Sequence, residues 1–158
     1  MADNTLLNVE ELKVYFYTYA GVVKAVDGVS FDVRRGEVFS IVGETGSGKS
    51  VTSRALTRLI PSPGRIVGGR ILFEGKNLLE MPEEELRKIR GKDIAYIFQD
   101  PSSSLDPLFT SGYQIAETMT VHATADWKNA WKRVIEILKD VAMSDPHKRA
   151  KSYPHELS

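Results

Sequence analysis

Residues 43–50, Gly43-Glu44-Thr45-Gly46-Ser47-Gly48-Lys49-Ser50, carry the spacing Gly-x4-Gly-Lys-Ser. The chemistry of that spacing is anion binding. Glycines let successive backbone N–H groups turn inward as a nest, and a helix beginning at once adds its positive N-terminal end. Phosphate would sit on the amides from Gly46 to Ser50, and the candidate binding set is Gly43, Glu44, Thr45, Gly46, Ser47, Gly48, Lys49, Ser50 and the following Val51. In this arrangement Lys49 reaches the β- and γ-phosphates, and the Ser50 hydroxyl is a hard oxygen ligand suited to Mg²⁺. With average residue frequencies, a chain of this length shows the pattern by chance about once in 200 sequences.

Such a loop needs a strand to deliver it and a helix to receive it. Residues 38–42, Val-Phe-Ser-Ile-Val, form a short apolar run without alternation, as expected of a strand buried on both faces. After the loop, Val51, Ala55, Leu56 and Leu59 recur at helical spacing until Pro61-Ser62-Pro63-Gly64, predicting a helix over 49–59. Upstream, β-branched and aromatic residues cluster in 9–19 and 22–33, which read as antiparallel partners turned at Ala20-Gly21. Downstream, 69–73 reads as a strand, 82–89 as a charged helix with Pro82 in its first turn, and 94–98 as a second buried strand. The character changes near Gln99: residues 100–107 form a Pro/Ser/Asp loop, 112–121 reads as helical, and 126–141 carries an amphipathic stripe.

The 158 residues, 42% hydrophobic and 27% charged, have globular composition. Lys plus Arg and Asp plus Glu are both 21, so no global field would hold nucleic acid, and any phosphate binding must be local. The absence of cysteine excludes thiolate metal sites and a cysteine nucleophile. No stretch approaches the roughly 18 apolar residues of a membrane span. His122, His147 and His155 lie outside any metal spacing, Glu83-Glu84-Glu85 reads as a helix start on a solvated face, and Trp127 with Trp131 reads as core or interface.

A phosphate loop alone leaves kinases, GTPases, helicases and transporter ATPases open. Three further segments narrow the choice. Ala25-Val26-Asp27-Gly28-Val29-Ser30-Phe31 with Arg35-Gly36-Glu37 resembles the lead-in of ABC ATPases, Ile97-Phe98-Gln99-Asp100-Pro101 their Q-loop, and Leu157-Ser158 the start of their signature motif. Gln99-Asp100-Pro101-Ser102-Ser103-Ser104-Leu105-Asp106-Pro107 and Tyr153-Pro154-His155-Glu156-Leu157-Ser158 resemble the phrasing of the dipeptide and oligopeptide importer subfamily, so the resemblance covers nearly the whole chain.

The resemblance implies an α/β fold, a P-loop NTPase of ABC type. An antiparallel β subdomain and a partial α/β core would occupy residues 1–99, and part of the helical subdomain would occupy 100–158. It implies ATP and Mg²⁺ as ligands, with Lys49 and Gln99 in catalysis and Ser50 and Gln99 at the metal. An aromatic residue upstream of the loop would stack on adenine: Phe16, Tyr17 and Tyr19 all qualify, and counting back from Ala25 favours Phe16. Ser158 would meet a partner's γ-phosphate. The implied activity is ATP hydrolysis coupled to import of peptides or a related small solute. The implied partners are integral-membrane subunits and a second ATP-binding subunit, which place the protein in the cytoplasm at the inner face of the membrane. A soluble ABC-type nucleotide-binding regulatory protein is the alternative.

In that family the signature continues into a Gly-Gly pair, a Walker B strand with its carboxylates, and a switch histidine. The expectation is therefore an N-terminal fragment with little turnover of its own and with unpaired strand edges.

Overall fold

The strand-like start of the chain becomes a hairpin. Strand β1 (Thr5–Thr18) pairs antiparallel with β2 (Gly21–Arg34), as the two β-rich runs predict, and the pair Thr18–Gly21 closes the turn. The computed structural model describes residues 4–100, 104–122 and 124–157. Strand β3 (Gly64–Phe73) joins the other edge of β1 and the two-residue β4 (Lys76–Asn77) follows it, giving the order β2-β1-β3-β4.

A bulge sets which side chains of β1 face inward. Glu11 takes φ 47°, its N–H donates to Ser30 Oγ at 2.8 Å, and the register slips between Val9 and Leu12. The slip keeps Val9, Leu12 and Val14 on one buried face despite their uneven spacing. On that face lie Val26 of β2 and Ile71 of β3, both buried. Helix α1 (Lys49–Leu56) packs on β1 and β2 and buries Thr52 and Ala55.

Helix α1 stops short of the Leu59 that periodicity predicts. Arg58 takes the left-handed conformation, φ 55°, so its N–H reaches Ala55 O (3.0 Å) and the Leu59 N–H reaches Arg54 O (2.9 Å), a Schellman closure. Helix α2 (Glu83–Ile89) buries Leu86 and is tied by charge: Glu83 accepts from Arg90 at 2.5 Å and faces Arg58 at 3.9 Å. These elements make one compact unit that closes at Arg90, and a second opens at Gly91.

The second unit is helical. Helices α3 (Ser111–Val121), α4 (Trp127–Asp140) and α5 (Pro146–Lys151), followed by a 3₁₀ turn at Pro154–Glu156, bury Ala116, Ala130, Val134, Leu138 and Ala150 together. Thr110 and Asp126 cap α3 and α4 by accepting from Tyr113 N and Asn129 N. Trp131 packs against this core, as the stripe predicts, while Trp127 stays half exposed beside it.

Two predicted strands do not form. Of residues 38–42 and 94–98, only Ile94 makes an isolated bridge, and neither run enters a ladder among the described residues. Val38, Val42 and Ile97 are each at least 90% exposed. A strand buried on both faces needs a neighbour on each edge and a layer on each face, and the sheet order β2-β1-β3-β4 includes neither run. Phe39 stacks on Phe31 at 5.0 Å, and Tyr96 meets Phe98 edge to face at 4.7 Å.

Candidate functional site

The loop at residues 43–50 takes its shape from the backbone. Gly46 and Gly48 sit at φ 85° and 90°, and a turn from Ser47 N to Glu44 O (3.2 Å) folds the loop over. Gly48 is also the N-cap of α1. A Cβ there would lie 2.4 Å from the carbonyl oxygen of Ala25, so the paired hairpin holds the loop close against β2.

Lys49 curls back over this turn. Its ammonium donates to Gly43 O (2.7 Å), Glu44 O (2.6 Å) and Ser47 Oγ (3.3 Å). The first helical amides, those of Lys49, Ser50 and Val51, have no acceptor within the helix, and they stand at its positive end. Ser50 is exposed. Backbone N–H groups, an ammonium held by two carbonyls and an exposed hydroxyl fit a nucleoside triphosphate with its Mg²⁺. Among the described residues no cluster of three or more His, Asp or Glu could hold a metal ion, so Mg²⁺ would need phosphate oxygens and water beside Ser50. A cavity of about 410 Å³ opens beside the loop, with Phe31, Phe39 and Ile41 as apolar wall and Gly43, Ser47 and Lys49 as polar rim.

Of the three aromatic candidates, one shares the face of the sheet that receives the loop. Phe16 follows Val14 by two residues and pairs with Val23 and Gly64. Val14 pairs with Val26, whose Cγ2 lies 3.5 Å from a Cβ built on Gly48. Tyr17 points to the other face, 48% exposed, and Tyr19 lies fully exposed in the turn. The opposite face carries a polar cluster instead: the Tyr15 hydroxyl donates to Asp27 Oδ1 at 2.6 Å and, with Lys24, holds that carboxyl below its ordinary range.

Gln99 belongs to the second unit and is exposed. The structure brings Gly43, Glu44, Ser47, Gly48 and Lys49 together; Ser158 lies outside the described residues. One residue that the sequence does not single out is Gln114. Its Oε1 accepts from Asp106 N (2.9 Å) and its Nε2 donates to Asp106 O (2.8 Å) and Phe109 O (2.9 Å), fastening the loop that follows Gln99. No spacing rule marks such a glutamine, because its partners are main-chain atoms of a loop.

Known proteins give the same picture. The ABC transporter family model matches residues 26–158. The chain is 47% identical over 154 residues to the oligopeptide transport ATP-binding protein OppD of Bacillus subtilis, covering 97% of this chain and 43% of that protein. It is 46% identical over 159 residues to the dipeptide transport ATP-binding protein DppD of Lactococcus lactis, covering 100% and 46%. The chain thus spans about half the length of the curated relatives it matches. Its fold is that of a dimeric bacterial ABC transporter cassette, with a TM-score of 0.82 at 23% identity, covering 96% of this chain and 63% of that one. The loop, the hairpin behind it and these matches together place the chain in the ABC transporter family, where it is similar throughout to ATP-binding proteins of peptide transport.

Proposed function

We propose that this chain supplies the nucleotide-binding half-site of a subunit that couples ATP hydrolysis to import of peptides or a related small solute. The observation that carries the reading is the closure of the Gly43–Ser50 loop around Lys49 Nζ at the positive end of α1. Relatives named for dipeptide and oligopeptide transport supply the solute class.

In this reading Lys49 exchanges its carbonyl contacts for β- and γ-phosphate oxygens, and the amides from Gly46 to Val51 hold the remaining phosphate oxygens. The Ser50 hydroxyl would hold Mg²⁺, which when bound would supply positive charge against the phosphates. The Gln99 amide, able to accept and donate, reaches the metal or the attacking water. Phe16 stacks on adenine, and Ser158 meets the γ-phosphate bound by a second ATP-binding subunit. Residues 1–99 are the nucleotide-binding core in this scheme and 100–158 part of the helical subdomain, which faces integral-membrane subunits. The protein works in the cytoplasm at the inner face of the membrane and binds no nucleic acid. Among the described residues no helix is long and apolar enough to cross a membrane.

The test is Lys49→Ala in the intact protein. Losing a charged donor to phosphate should weaken MgATP on the order of tenfold to a hundredfold, read by isothermal titration. Undiminished affinity would overturn the reading.

A further inference from the structure

We propose that Gly64 is the positioning residue for the adenine-stacking ring: its lack of a side chain, directly across the strand pair from Phe16, sets where that ring lies. This rests on the reading of Phe16 given above. Gly64 pairs with Phe16 in the β1–β3 register, and Tyr17 N–H donates to Pro63 O at 3.4 Å beside it. A Cβ built on Gly64 would lie 2.7 and 2.9 Å from Phe16 Cε1 and Cζ, and 2.6 Å from Ile60 Cγ2.

The backbone does not ask for glycine here. Gly46, Gly48 and Gly69 have left-handed φ angles, but Gly64 does not. What the position requires is room. The other cross-strand neighbour of Phe16 is the β-branched Val23, so the ring is bounded by a side chain on the β2 side and by bare backbone on the β3 side. The ring tip therefore rests over Gly64, half-buried. An aromatic ring fixed before its partner arrives loses less freedom on stacking.

A methyl group at residue 64 forces the ring tip, the Ile60 methyl, or both to move. Turning the ring tilts the face that would meet the base. The phosphate end is insulated from this change. Ile60 lies beyond the C-terminal end of α1, and the loop sits at its N-terminus, a helix of 8 residues or about 12 Å away.

The experiment compares MgATP with magnesium tripolyphosphate, which lacks the base, on the intact protein by isothermal titration. Base–aromatic stacking sets the scale: Phe16→Ala should weaken MgATP about tenfold and Gly64→Ala about threefold to tenfold, both leaving tripolyphosphate within about twofold. A double variant, Ile60→Leu with Gly64→Ala, removes the β-branch methyl yet keeps the collision with Phe16. It should retain the MgATP loss, and it carries the test should Gly64→Ala melt too low to assay. Unchanged MgATP affinity in Phe16→Ala would remove the stacking reading and this inference with it. A loss in Phe16→Ala but not in Gly64→Ala overturns the inference alone. So does an equal loss of both probes in Gly64→Ala, or recovery of MgATP affinity in the double variant.

Discussion

Two parts of the first unit began with much the same sequence character and ended differently. The runs that became β1 and β2 are rich in β-branched and aromatic residues, and so are residues 38–42. The first two pair through a two-residue turn and bury Val9, Leu12, Val14 and Val26. Residues 38–42 find no ladder among the described residues and leave Val38 and Val42 above 90% exposed. Strand propensity is the same in both; the availability of a partner is not. The hairpin's partner is the next segment of chain, whereas a strand at the heart of a parallel sheet depends on segments joined through crossovers of a dozen or more residues.

The sharpest way to break that comparison is to substitute one apolar side chain in each part. Leu12 is fully buried in the hairpin, so Leu12→Ala should cost about 3 kcal/mol in urea unfolding. Val42→Thr, at a 92% exposed position, should stay within about 0.5 kcal/mol. Equal losses would mean that residues 38–42 are packed as a strand after all.

A second test asks whether the paired part shapes the loop that the unpaired part leads into. Gly48 joins the two, with a left-handed φ and the Ala25 carbonyl 2.4 Å from where a Cβ would lie. Backbone cannot swing aside as a side-chain tip can. Gly48→Ala should therefore cost about 1–3 kcal/mol and abolish tripolyphosphate binding, checked by denaturant melts and titration. A variant that melts and binds like the parent would show that the hairpin does not constrain the loop.

Legibility followed the same division. The backbone of the phosphate loop could be read from its spacing, and the structure delivers the left-handed conformation at Gly46 and Gly48. The hairpin could be read from composition, yet the face of Phe16 could not. That face depends on the bulge at Glu11, which alternation alone does not reveal. Strand β3 begins at Gly64 rather than Gly69 because β1 continues the pairing past Gly68 as far as Phe16. Helix α1 ends early because an arginine takes the left-handed position usually given to glycine. Helix α5, six residues long, is too short to show a period. The clamp made by Gln114 is invisible until the loop it holds has a shape.

The smallest effect lies where the unit is fastened by exposed charge. Glu83 accepts from Arg90 at 2.5 Å and faces Arg58 at 3.9 Å, while Arg58 donates to Met81 O and Arg90 to Thr57 O, so the carboxylate links α2 to the end of α1. The Arg90 hydrogen bond is the first cause, ahead of the nearby arginine charges, that holds this carboxyl below its ordinary 4.5. A carboxyl depressed in the folded state contributes stability above its unfolded value, and that contribution is lost as pH falls through the folded value. Glu83→Gln removes the titrating group but leaves an oxygen to accept from Arg90. The stability of the parent should therefore fall more steeply than that of the variant as pH drops below 4.5, and the two curves should run parallel above neutrality. Added salt should narrow the difference, since the group is half exposed and screened. Parallel curves throughout the acid limb would mean that the Glu83 charge contributes nothing, leaving the burial of Leu86 and the arginine hydrogen bonds to Met81 O and Thr57 O to fasten α2.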